Sequence, residues 1–182
     1  AVTEEEQANI IVKEYIQVMS AGIAEHMAVY NLTNKYDLSA DTPVHNLEEP
    51  EHNFGIIQSQ TDELSETGVA LSAKKSYVAI AAMNAILAES QGVGGVHFYG
   101  EQEEIAVCDF KNHDGDDIIA IFGDKACPII LNCNADSLTI YDFYGNEKII
   151  SSTDGKFGIS LDSNVTYVKG NIEDYQMELP FD

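Results

Sequence analysis

Apolar residues at Ile11, Val12, Tyr15, Ile16, Val18 and Met19 recur at the three-to-four-residue spacing of one helix face. They predict a helix over residues 4–20. Thr3 and Glu6 stand at capping-box spacing at its start, and Gly22 stands where a left-handed C-cap ends such a helix. The next run, EHMAVYNL, is short and mostly apolar, and reads as a strand buried on both faces. From Thr33 to Asn53 the chain is polar and acidic, without period and broken by Pro43 and Pro50, which predicts a long loop. Loops of that length in compact domains are usually functional or mobile. After NFGII and another polar stretch, AKKSYVAIAAMNAILAES places Tyr77, Ile80, Ala81, Asn84 and Leu87 on helical spacing, predicting a second helix over 73–89.

The period changes at Gly92, Gly94 and Gly95. Downstream, strands are expected near Val96–Gly100, Glu104–Phe110, Asp117–Phe122, Pro128–Leu131, Leu138–Phe143, Glu147–Ile150, Phe157–Leu161 and Val165–Val168. Short strands at such even spacing point to an antiparallel sandwich. Gly145-Asn146 and Asp154-Gly155 are pairs that accept the positive φ of two-residue hairpin turns. Leu138 and Ile140, Phe157, Ile159 and Leu161, then Val165 and Tyr167 alternate so that one face can be buried. The fold class expected is α+β: two helices and a short strand in residues 1–92, then an antiparallel β-sandwich in residues 93–182.

A chain of 182 residues with 45% apolar content can fill a core. Its 31 acidic and 9 basic residues give a formal charge of −22, which repels phosphate backbones and anionic lipid. Nucleic acid and membrane are therefore not expected partners. The opening AVTEEEQANI has neither the basic nor the apolar region of a signal peptide, so the chain is either cytoplasmic or follows something removed upstream. Cys127 and Cys133 bracket PIILN; a straight strand of that length spans roughly 20 Å, too far for a disulfide. With Cys108 they read as free thiols packed like small hydrophobes.

Candidate chemistry is sparse. His26, His45 and His52, the latter two near Glu48, Glu49 and Glu51, fit no zinc-ligand spacing and read as parts of a solvated acidic loop. NHDGDD, from Asn112 to Asp117, has alternate carboxylates but lacks the distal glutamate of a calcium loop, so a hairpin turn at Asp114-Gly115 is the reading. No phosphate-binding glycine loop, nucleophile elbow or Cys/His couple is present. Neither a cofactor nor a metal is expected. The sandwich aromatics Phe98, Tyr99, Tyr141, Phe143, Tyr144 and Tyr167 are either core or sugar-stacking platforms.

Taken in order, the helix EEEQANIIVKEYIQVMSAG, the strand HMAVYNL, the pair Phe54-Gly55, the helix KKSYVAIAAMNAIL, the hairpin YDFYGNEKI and the strand VTYVKG resemble one family. That order is similar to the C-terminal end of clan-A retaining glycoside hydrolases, closest to family 39. There the last units of a (β/α)8 barrel run into a β-sandwich. The resemblance implies that Tyr30 and Asn31, at the end of the last barrel strand, floor a sugar subsite. It implies an extracellular protein whose partner is carbohydrate. It also implies that both catalytic glutamates stand upstream, so no catalytic residue is assigned here. The helix faces that a barrel would bury are then expected to pack on each other and on the sandwich, or to be covered by the rest of a barrel or by another copy of the chain. The alternative is a non-catalytic carbohydrate-binding or scaffold module with Tyr144 as a stacking residue.

Overall fold

A computed structural model describes residues 2–23, 27–33, 54–57, 73–172 and 174–180. Helix α1 spans Glu4–Ser20 and opens with the capping box, the Thr3 hydroxyl accepting from Glu6 N–H while the Glu6 carboxylate accepts from Thr3 N–H. Gly22 ends it at φ +63°, as its position after the last apolar residue implies. Helix α2 spans Lys75–Ile86, shorter at both ends than its apolar periodicity suggests.

Nine strands follow, all paired antiparallel. They are β1 (Ser90–Tyr99), β2 (Ile105–Asn112), β3 (Asp117–Gly123), β4 (Cys127–Asn132) and β5 (Ser137–Tyr141), then β6 (Glu147–Ser151), β7 (Lys156–Leu161), β8 (Thr166–Gly170) and β9 (Gln176–Glu178). Six form one sheet in the order β1-β2-β3-β8-β5-β6, and three form a second in the order β7-β4-β9. The α+β class and the sandwich are therefore as expected.

The layers are helices, large sheet and small sheet. Ile105, Val107, Ile119, Ile121 and Val168 of the large sheet meet Ile129, Leu131, Phe157, Ile159 and Leu161 of the small one. The opposite face of the same strands, with Ala106, Cys108, Phe110, Ile118, Ala120, Phe122 and Tyr167, packs under Ala8, Val12 and Ile16 of α1 and Ala79 and Met83 of α2. Strands β2, β3 and β8 are thus buried on both faces. The one-face alternation holds for β7, but Val165 and Tyr167 face the helices, because a helical layer covers what a two-sheet sandwich would leave wet.

Four local expectations are corrected. Met27–Leu32 forms no strand and bends at Tyr30 and Leu32; the residue after it, Thr33, bridges to Ile57, which bridges in turn to Ala73. The segment's backbone bonds run instead from Asn31 and Leu32 to residues 54–57, too few to make a strand. Strand β1 begins at Ser90, and the glycine cluster is absorbed as a register shift between Gly92 and Val96. Gly145-Asn146 is the end of a longer loop: the Asp142 carboxylate accepts from Tyr144 and Asn146 N–H, each at 2.9 Å, and only Gly145 needs positive φ. Strand β9, too short to leave a period in the sequence, was not anticipated. Asp154-Gly155 does turn with both φ positive, at +53° and +77°. All three cysteines are free thiols.

Candidate functional site

Tyr30 stands at a bend and is 63% exposed. The ring meets Phe54 edge-on, centroids 6.4 Å apart and planes at 65°. Phe54 and Leu32 are exposed beside it. The peptide between Tyr30 and Asn31 is cis. Asn31 is half-buried: its side-chain oxygen accepts from Leu32 N–H at 3.1 Å, and its carbonyl accepts from Ile56 N–H at 3.3 Å. Its own N–H reaches Phe54 O at 3.5 Å, so the two segments hold each other.

Tyr30 and Asn31 thus stand together, and Phe54, which sequence order offered only as a landmark, supplies a second ring. Two exposed rings and an amide suit the apolar face and hydroxyls of a pyranose. The described residues 27–33 and 54–57 contain no carboxylate, histidine, cysteine or lysine.

Tyr144 is elsewhere and otherwise engaged. Its hydroxyl donates to Glu5 Oε2 at 2.8 Å and its ring packs edge-on against Phe143. Burial, then Glu5, pushes its phenol up to about 12. Glu5 also pairs with Lys75, which holds its carboxyl below the usual range despite some desolvation. This knot joins α1, α2 and the β5–β6 hairpin.

A second polar cluster escaped the sequence. Asp109 lies within buried strand β2, where it accepts from the Tyr175 hydroxyl at 2.9 Å, with His97 Nε2 at 3.3 Å. Burial raises its carboxyl, against the lowering effects of Tyr175 and His97. The one local signal was a charge inside the apolar run IAVCDF. Among the described residues, no group of three or more His, Cys, Asp or Glu could hold a metal ion. His26, His45, His52 and their neighbouring glutamates lie outside the described residues. At Asp114-Gly115 the chain makes a hairpin turn, closed by Asn112 and Asp116. A cavity of about 730 Å³ between α1 and α2, lined by Tyr15, Met19, Met27, Ile80, Met83 and Phe110 among others, presents no charged side chain.

No protein-family model and no curated protein matches the sequence. Among solved structures, a family 39 glycoside hydrolase from the gut symbiont Bacteroides cellulosilyticus WH2 superposes with a TM-score of 0.69 at 20% identity, over 92% of this chain and 30% of that one. A GH30 endoxylanase from Clostridium papyrosolvens C71 gives 0.44 at 14% identity, over 55% of this chain and 28% of its own. The catalytic domain of GH30 xylanase C from Talaromyces cellulolyticus gives 0.41 at 15% identity, over 64% and 27%. The chain spans less than a third of the length of each. The resemblance drawn from the order of its segments holds at the level of the fold.

Proposed function

We propose that this chain is the C-terminal part of a glycoside hydrolase, in which the β-sandwich is non-catalytic and holds the last barrel helices in place. Residues 1–92 are then the barrel-like unit and 93–182 the sandwich. Tyr30 and Asn31, with Phe54, form part of the floor of a sugar subsite. The reading includes an extracellular location, taken from the resemblance. No helix among the described residues is long and apolar enough to cross a membrane.

The observation that supports it most is the outer face of α2. From Ser76 to Ala88 no residue is charged, in a chain that is 22% charged overall. Ser76, Ala79 and Met83 face inward, while Tyr77 and Val78 are over 40% exposed on the other side. A helix apolar all round is one buried all round. In a barrel the neighbouring units supply that cover.

The test compares the chain alone with the product of its whole reading frame on aryl β-D-xylosides, glucosides, galactosides and arabinosides. Activity only in the longer protein, lost on Val78→Asp while the chain alone still folds with that change, supports the reading. A reading frame with no barrel upstream sinks it. The second reading, a carbohydrate-binding module, is favoured by Phe98, the sandwich ring with 54% exposure, rather than by Tyr144. Glycan-array binding lost on Phe98→Ala would select it.

A further inference from the structure

We propose that Gln7 is the positioning residue of the Tyr30–Phe54 aromatic pair, an assignment that rests on the subsite reading above and adds to it a residue from α1. Gln7 is half-buried in the first turn of α1. Its amide nitrogen donates to Phe54 O at 3.3 Å and to Gly55 O at 3.4 Å. Its amide oxygen accepts from the Ser76 hydroxyl at 3.2 Å, and Ser76 is fully buried at the start of α2. One carboxamide, with two donors and an acceptor in use, joins three segments far apart in sequence.

Phe54 and Gly55 belong to no helix or strand, so the backbone there is held by whatever its carbonyls bind. Phe54 O takes one long bond from Asn31 N–H at 3.5 Å and the shorter one from Gln7. Without the Gln7 amide, the Phe54 carbonyl would keep only that long bond, and the Phe54 end of the segment would be held through its neighbours Ile56 and Ile57, whose N–H groups donate to Asn31 O and Leu32 O. Gln7 in turn is fixed from below. Glu5 is gripped by Tyr144, and the Asn9 side-chain nitrogen donates to the Asn164 side-chain oxygen, so the positions on both sides of Gln7 are tied to the sandwich. The aromatic pair is therefore referenced to the sandwich through the first turn of α1.

The experiment is solution NMR on the chain with Tyr and Phe rings labelled, comparing wild type with Gln7→Met and Ser76→Ala. A ring-to-ring NOE between Tyr30 and Phe54 is expected in wild type, lost in Gln7→Met and weakened in Ser76→Ala, while urea midpoints stay close to wild type. A full-strength NOE in Gln7→Met overturns the proposal. If Gln7→Met does not fold, Ser76→Ala decides, and a full-strength NOE there overturns it equally. Titration with methyl β-D-xylopyranoside is the second arm. The sugar concentration that half-shifts the Tyr30 ring signals should rise about fivefold in Gln7→Met, the equivalent of one net hydrogen bond. A wild-type ring that never responds to the sugar refutes the subsite reading, while the NOE still decides the role of Gln7.

Discussion

The Tyr144 hydroxyl and the Glu5 carboxylate meet at 2.8 Å across 139 positions of sequence, one at the tip of a sandwich hairpin and the other in the first turn of α1. Lys75, at the first residue of α2, completes the knot from the other helix. The sandwich thus grips α1 at its N-terminal end and reaches α2 through Glu5 and Lys75, while Val12 and Ile16 pack along the sheet.

Tyr144→Phe removes the donor and leaves the ring in place. The expected loss of stability is about 0.5–1.5 kcal/mol, measured by urea unfolding near neutral pH. Glu5 adds a pH signature. Lys75 lowers its folded-state pKa below the unfolded value, so its contribution is present above the ordinary carboxylate range and is lost as pH falls through the folded value. Wild type should lose more stability on acidification than Glu5→Gln. Equal acid sensitivity of the two would show that the knot is not electrostatic.

At Gly92 the end of α1 lies directly against β1: a Cβ there would collide with the backbone of Met19 and Ser20. Backbone cannot move aside as a side-chain tip can, so Gly92→Ala should push the end of α1 away, at about 1–3 kcal/mol. Gly158, in β7, has open space where its Cβ would be and serves as the control. Gly158→Ala should leave the urea midpoint close to wild type. A harmless Gly92→Ala would mean that α1 is held less closely than the geometry indicates.

Much of this fold was legible because its signals are local. The capping box at Thr3 and Glu6, the apolar stripe of α1, the Asp154-Gly155 turn and the alternation of β7 each lie within a few residues of one another. What was not legible depends on partners far away. The double burial of β2 and β3 requires knowing that helices lie on the sheet. The Asp109–Tyr175 and Glu5–Tyr144 bonds join residues that share no period. Tyr144 read as a stacking residue because nothing in its neighbourhood announces Glu5. Tyr30 and Asn31 are singled out only by the order of the surrounding segments, and Phe54 only as a landmark in that order.

Asp109 offers a test of opposite sign. Burial raises its folded-state pKa above the unfolded value, so the fold favours the protonated form and its penalty grows as pH rises through that window. Asp109→Asn keeps an oxygen to accept from Tyr175 and removes the buried charge. The variant should match or exceed wild type in urea at pH 7 and lose that advantage at pH 4. Greater destabilisation at pH 7 than at pH 4 would show that the pairing with His97 outweighs desolvation. Tyr175→Phe, which leaves Asp109 with one fewer donor, should cost about 1–3 kcal/mol at pH 7.

Retaining hydrolysis requires two carboxyls about 5–5.5 Å apart across the scissile bond, one kept protonated and one ionised. Two of the positioned carboxylates among the described residues do not meet that requirement together. Glu5 lies on the helical side of the large sheet, ionised and committed to Lys75 and Tyr144. Asp109 shares the face of Val107, toward the small sheet, and is the better proton donor of the two. Asp117, whose charge also acts on Asp109, is itself paired with Lys111. The Tyr30 surface has no carboxylate within its described segments. With both catalytic carboxyls upstream, as proposed, the purified chain should release nitrophenol from aryl xylosides, glucosides, galactosides and arabinosides no faster than buffer between pH 4 and pH 8. Turnover that disappears in Asp109→Asn, with the variant still folded by urea titration, would make this chain an enzyme in its own right and move its active site into the sandwich.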